Sequence, residues 1–173
     1  MRRFLKQAVI SAAALAAGAI DLREAHAWPG PWEVEAPKGS GWAEAHGQGI
    51  NFNTALIVKC SHDLAGVGFT LRDFWGTALG RTNGERYSVR IVIRNGDGHR
   101  SEFYVGLRYD ADEQEWSTDG YEMPRSFLDA FAKGATMRFD ASAIDGEIAT
   151  YRLKGSAIAA RTMRTACWER FGG

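Results

Sequence analysis

The stretch from Tyr87 to Tyr109 leaves this chain little freedom in what it can build. Tyr87, Val89, Ile91 and Ile93 alternate with Ser88, Arg90, Val92 and Arg94, and a period of two marks a strand with one buried face. Asn95-Gly96-Asp97-Gly98 follows, residues that tolerate positive φ and let the chain reverse. Phe103, Val105, Leu107 and Tyr109 then alternate with Tyr104, Gly106 and Arg108. One face of this hairpin is apolar and the other carries arginines. That pattern predicts a half-buried antiparallel sheet, since parallel strands are covered on both faces and read as continuous apolar runs.

The remaining segments extend that sheet. From Thr54, Leu56, Val58 and Cys60 fall on one face, and Ala65 to Leu71 reads as a second strand. Pro124 to Lys133 predicts a short helix, with Pro124 at its first position, a stripe of Phe127, Leu128 and Phe131, and Gly134 as its stop. Ala135 to Ala141 returns to strand with Met137 and Phe139 inward. Asp145-Gly146 is a turn, and Glu147 to Lys154 is a further strand with Tyr151 and Leu153 on one side. Gly155-Ser156 is expected to cap a final helix. Its residues Ala159, Met163, Ala166 and Cys167 lie at i, i+4, i+7 and i+8, which puts the cysteine on the buried stripe. Residues 28–53 read instead as an irregular arm. Pro29 and Pro31 lack the backbone donor, and Gly39, Gly41, Gly47 and Gly49 favour turns. The expected fold is α+β: mainly antiparallel β-sheet or sandwich, with a short helix, a C-terminal helix and one disulfide. Residues 54–173 would form a single β-rich domain.

The N-terminus carries the three parts of a secretory signal. Arg2, Arg3 and Lys6 are the cationic start, Ala8 to Ile20 is the apolar run, and Ala25-His26-Ala27 offers a small-x-small cleavage site. The run has 13 residues, short of the about 20 that a spanning helix needs. Arg2-Arg3-Phe4-Leu5-Lys6 approaches a twin-arginine signal but lacks the usual residue between the pair and the phenylalanine. Cleavage after Ala27 would remove residues 1–27 and leave 17 Lys and Arg against 19 Asp and Glu. That balance offers no basic excess for nucleic acid, and no further apolar run suggests a membrane span. The expected location is periplasmic or extracellular. No cofactor motif is present.

In an exported protein an even pair of cysteines is expected to be bridged. A Cys60–Cys167 disulfide would close a loop of about 108 residues, which corresponds to roughly 4 to 5 kcal/mol in the chain-entropy account. The alternative is a reactive thiol. No Cys-x-x-Cys spacing supports it, and His62 merely shares a strand face with Cys60.

The segment Phe127-Leu128-Asp129-Ala130-Phe131-Ala132-Lys133-Gly134 is followed by a strand, an Asp145-Gly146 turn, Tyr151-Arg152-Leu153-Lys154-Gly155-Ser156 and an Ala-rich helix ending at Cys167. This succession resembles small exported proteobacterial proteins of the invasion-associated locus B type, and the related accessory proteins of type VI secretion. The resemblance covers Phe127 to Cys167 only. It implies a compact β-rich periplasmic domain with a C-terminal helix, and host-interaction or secretion-accessory roles. It brings no catalytic residues. The chain departs from the pattern in its fewer cysteines and its Trp-rich arm.

Four groups of residues are candidates for chemistry. His62-Asp63 would serve as a base with its orienting carboxylate only inside a turn, since strand neighbours point to opposite faces. Asp110, Asp112, Glu113 and Glu115 form an acidic cluster, but Glu115 occupies the position where a calcium loop needs glycine; a solvated loop is expected and no metal. Arg90, Arg94 and Arg108 share the hairpin's polar face with Tyr104, a surface suited to an anionic partner. Trp28, Trp32 and Trp42 in the arm either pack on the sheet or remain available for recognition. Gly-x-Ser-x-Gly, His-Glu-x-x-His and Ser-x-x-Lys are absent. The expected function is therefore non-enzymatic binding of another protein or an envelope component. The alternative is a periplasmic hydrolase with catalytic residues that no motif identifies.

Overall fold

The computed structural model describes residues 32–50, 54–73, 81–120, 123–141 and 146–169. The expected export segment, residues 1–27, and Trp28 lie outside the described residues. The elements are β1 (Glu33–Glu35), β2 (Trp42–Gln48), β3 (Thr54–Ser61), β4 (Gly66–Asp73), β5 (Arg86–Arg94), β6 (Arg100–Asp110), β7 (Glu115–Ser117), β8 (Met123–Pro124), α1 (Phe127–Lys133), β9 (Thr136–Ala141), β10 (Gly146–Arg152) and α2 (Ser156–Cys167).

The Tyr87–Tyr109 hairpin forms as its alternation requires. β5 and β6 pair antiparallel from Arg86↔Arg108 to Arg94↔Arg100. Gly98 turns the chain at φ +87°, and the His99 amide donates to Asp97 Oδ1 at 3.0 Å. Around this hairpin the strands stand in the order β1-β2-β3-β4-β7-β6-β5-β9-β10, with β8 on the side of β4. Their pairings are antiparallel. The sheet curls into a half-barrel whose margins touch: Gly49, just past β2, bridges Tyr151 of β10, and the Ile50 amide donates to the Thr150 carbonyl at 2.8 Å.

The concave face and the two helices share one core, as a curled sheet with a single apolar face demands. Phe127 and Phe131 of α1 stack on each other at 5.9 Å. Phe127 also meets Phe69 of β4 edge-on at 5.1 Å. From α2, Ala159, Ala160, Met163 and Cys167 are buried. The disulfide joins Cys60 of β3 to Cys167 at the end of α2, with S–S 2.09 Å and Cα–Cα 6.2 Å. Past the helix, the Trp168 indole donates to the Leu64 carbonyl at 3.0 Å, and the Arg125 guanidinium covers its ring at 4.5 Å.

Three local expectations are corrected, and Gly134 stops α1 as expected but for a different physical reason. Residues 28–53 are not irregular throughout: β1 and β2 lie within them and form one margin of the sheet. In β2 the inward residues are Ala43 and Ala45, fully buried, and alanine gives a strand only a faint apolar signal. Of the glycines there, Gly39 at φ +78° and Gly41 at +72° serve the turn. Pro124 does not open α1; it belongs to β8, opposite Gly66, a marginal strand where its missing amide is harmless. Gly134 ends α1 with an extended backbone, φ −70°. A Cβ there would come within 2.6 Å of Leu153 and Ile93 side-chain atoms, so glycine supplies space rather than handedness. Lastly, Gly155 at φ 91° is the N-cap of α2, and no side chain caps the helix. Ser156 instead donates its hydroxyl to the Phe131 carbonyl at 2.6 Å.

Among the described residues, no helix is long and apolar enough to cross a membrane.

Candidate functional site

The alternation that buries Tyr87, Val89, Ile91 and Ile93 turns the even-numbered residues of β5 outward. Their partners on β6 and β9 follow from the register. Arg90 stands opposite Tyr104 on one side and Asp140 on the other, Ser88 is opposite Gly106, and Arg86 is opposite Arg108. Directly opposed like charges are unfavourable, and the convex face relieves them with shared carboxylates. Asp140 Oδ2 accepts from Arg90 Nη2 at 3.0 Å and from Arg138 Nη2 at 2.9 Å. Asp119 lies 3.0 Å from Arg86 Nη2 and 2.6 Å from Arg108 Nη2. Arg100 pairs with Glu102, which also accepts from the Tyr104 hydroxyl at 3.3 Å. Val92, although on this outer face, is only 2% exposed, as expected where arginine stems lie along the sheet.

Two Arg–Asp–Arg triads thus flank the Ser88–Gly106 row. Each carries a net positive charge. Two guanidiniums bring ten N–H donors and a carboxylate about four acceptor sites, so each triad keeps donors for a ligand. Beside the first triad lies a groove of 490 Å³ lined by Ser88, Arg90, Tyr104, Arg138, Asp140 and Glu147, among others. Tyr104 is 67% exposed. Glu147 accepts from the Thr150 hydroxyl at 2.6 Å.

The structure sorts the expected site residues. Arg90 and Tyr104 come together in the groove, and Arg108 stands in the second triad. Arg94 is exposed two rows beyond Arg90, opposite Arg100. Trp32 belongs to the core: its indole donates to the Arg152 carbonyl at 3.0 Å and its ring meets Phe131 edge-on at 4.7 Å. A Cβ on Gly47 would sit 2.5 Å from the Trp32 ring, which is why glycine stands there. Trp42 is half-buried on β2, with β3, β4 and β7 between it and β6. Neither Trp32 nor Trp42 lines the groove beside Arg90 and Tyr104.

The other candidates do not assemble a site. His62 and Asp63 occupy the β3–β4 turn and are exposed. The Ser61 hydroxyl donates to Asp63 and holds its carboxyl below the usual carboxylate range, away from the near-neutral value a general base uses. Glu85 is likewise held low, by the Tyr87 hydroxyl first and the Thr82 amide second. His99 sits in the β5–β6 turn, three strands away from the β3–β4 turn. In the acidic cluster, Asp110 Oδ1 accepts the Asp112 and Glu113 amides at 2.9 and 3.2 Å, and Glu115 pairs with Arg72 at 2.9 Å. These carboxylates shape a hairpin turn. Among the described residues no group of three or more His, Cys, Asp or Glu is arranged to hold a metal.

Sequence reasoning missed Arg86, Arg138, Asp140, Asp119 and Glu147. Arg138 and Asp140 alternate with inward Met137 and Phe139, so their outward direction was legible. That β9 lies against β5 was not.

No family model, no curated protein and no solved structure matches this chain.

Proposed function

We propose that this is an exported, non-enzymatic binding protein, periplasmic or secreted, which takes another protein or an envelope component on the convex face of β5, β6 and β9. The observation that carries the reading is the pair of Arg–Asp–Arg triads beside an exposed tyrosine and a groove. Arginine and tyrosine are the side chains most often found at binding hot spots, and each triad retains donors and charge. The Cys60–Cys167 disulfide supports an oxidising compartment, in keeping with the tripartite pattern of residues 1–27. The resemblance of Phe127–Cys167 to invasion-associated locus B proteins supports a host-interaction or secretion-accessory role. The separation of His62-Asp63 from His99 gives the hydrolase reading no convergent site.

The test is capture from envelope extract by the wild type and by a variant carrying Arg90→Ala, Arg94→Ala and Arg108→Ala. The variant should fold, because Asp140 keeps Arg138 and Asp119 keeps Arg86. Saturable capture by the wild type and its loss in the variant is expected. Equal recovery of partners by both would remove this face as the site.

A further inference from the structure

The convex face has a shape as well as a charge. Gly106 and Ser88 are opposed across β6 and β5 and are both exposed, and a Cβ built on Gly106 meets nothing within 4 Å. They form a side-chain-poor floor. One bank is the Arg90–Tyr104 row, the other the Arg86–Arg108 row. The banks are four residues apart along each strand, about 14 Å at the strand rise. The groove beside Arg138, Asp140 and Glu147 continues this floor toward β10. The result is an open trough that runs across the strands.

We infer that this trough binds an extended acidic polysaccharide whose carboxylates are spaced along a polyhydroxylated chain, as in a polyuronate. The inference rests on the binding reading above and names its ligand class. Three observations select it. First, the positive charge is modest and divided: the four arginines Arg86, Arg90, Arg108 and Arg138 face the three carboxylates Asp119, Asp140 and Glu147. The two triads suit separate anionic groups on one chain, while Asp140 and Glu147 would repel a dense polyanion. Second, donors and acceptors are interleaved, with guanidiniums beside Ser88, Asp140 and Glu147, which matches ligand hydroxyls as well as carboxylates. Third, a protein partner is expected to be anchored by buried apolar side chains, yet among the described residues Tyr104 is the only exposed large apolar side chain on this face. An exposed aromatic ring amid polar groups fits the apolar face of a sugar ring.

The test is calorimetric titration with an oligogalacturonate, its fully methyl-esterified form, oligoglutamate and anionic phospholipid vesicles. The expected result is saturable binding of the oligogalacturonate, with affinity at least about tenfold weaker for the ester and for oligoglutamate. Gly106→Val fills the floor at a strand position that welcomes a β-branched residue. It should leave thermal stability intact while weakening binding by about tenfold or more, and Tyr104→Ala should weaken it similarly. Equal binding of oligoglutamate, preference for vesicles, or unchanged affinity in Gly106→Val would each overturn the inference. If no saccharide binds while envelope capture still depends on Arg90, Arg94 and Arg108, the glycan inference falls and the broader binding reading stands.

Discussion

At the scale of single residues, Trp32 shows how a side chain that looks available for recognition becomes structural. Its indole N–H has an acceptor in the Arg152 carbonyl, its ring is 7% exposed, and Gly47 leaves it room. Trp32→Ala should therefore cost about 3 to 5 kcal/mol, as large-to-small core changes do, measured by urea unfolding; a loss under 1 kcal/mol would return Trp32 to the surface. Asp63 gives a second residue-scale prediction. Its carboxyl is held low first by the Ser61 hydroxyl, so the folded value lies below the unfolded one. The small stabilisation involved is present above the unfolded pKa of about 3.9 and disappears as pH falls through the folded value. Ser61→Ala should raise the Asp63 midpoint in a carboxyl NMR titration; an unmoved midpoint would contradict that cause. What the sequence lacked at this scale was partners. Arg90 was legible as outward, but its carboxylate lies fifty residues away at Asp140, and no spacing rule reaches that far.

At the scale of elements, legibility followed the strength of periodicity. β5, β6 and β9 alternate large apolar with polar residues, and α2 sets Ala159, Met163 and Cys167 at helical spacing, so their faces are readable. β2 was hidden because alanines carry its inward face. The start of α1 was misplaced because proline is tolerated both at a helix start and in a marginal strand. Gly155 caps α2 as the Gly155-Ser156 pair suggests, whereas the Ser156 hydroxyl answers a different need. The Phe131 carbonyl lies in the last turn of α1, where intrahelical donors run out, and Ser156 supplies one from α2. Ser156→Ala should strand that buried acceptor and cost about 1 to 3 kcal/mol. The loss should show as faster amide exchange at the C-terminal turn of α1 and the first turn of α2. Exchange confined to the sheet would argue that the helices do not depend on this bond.

At the scale of the whole molecule, the fold depends on contacts distant in sequence: β3 of the first half carries Cys60, the last helix carries Cys167, and 107 positions separate them. A cross-link over so long a loop constrains the unfolded chain strongly, by about 4 to 5 kcal/mol in the chain-entropy account. Both cysteines are no more than 1% exposed, so a dissolved thiol should reach the bond only after α2 has opened. Two consequences separate this staple from a redox centre. Native protein should resist dithiothreitol in buffer and be reduced readily once urea opens the structure. The double variant Cys60→Ala, Cys167→Ala should fold with its sheet intact, lose up to about 4 to 5 kcal/mol, and show α2 exchanging its amides ahead of β5 and β6. The order matters because β5 is paired on both sides, while α2 lies outside the sheet ladder and is held by its buried stripe, by Ser156 on Phe131, by the disulfide, by Trp168 on Leu64 and by Arg164 on Asp129 at 2.6 Å. Rapid reduction of the native protein, or a double variant as stable as the wild type, would show that the bond does not hold the end of the chain to its sheet.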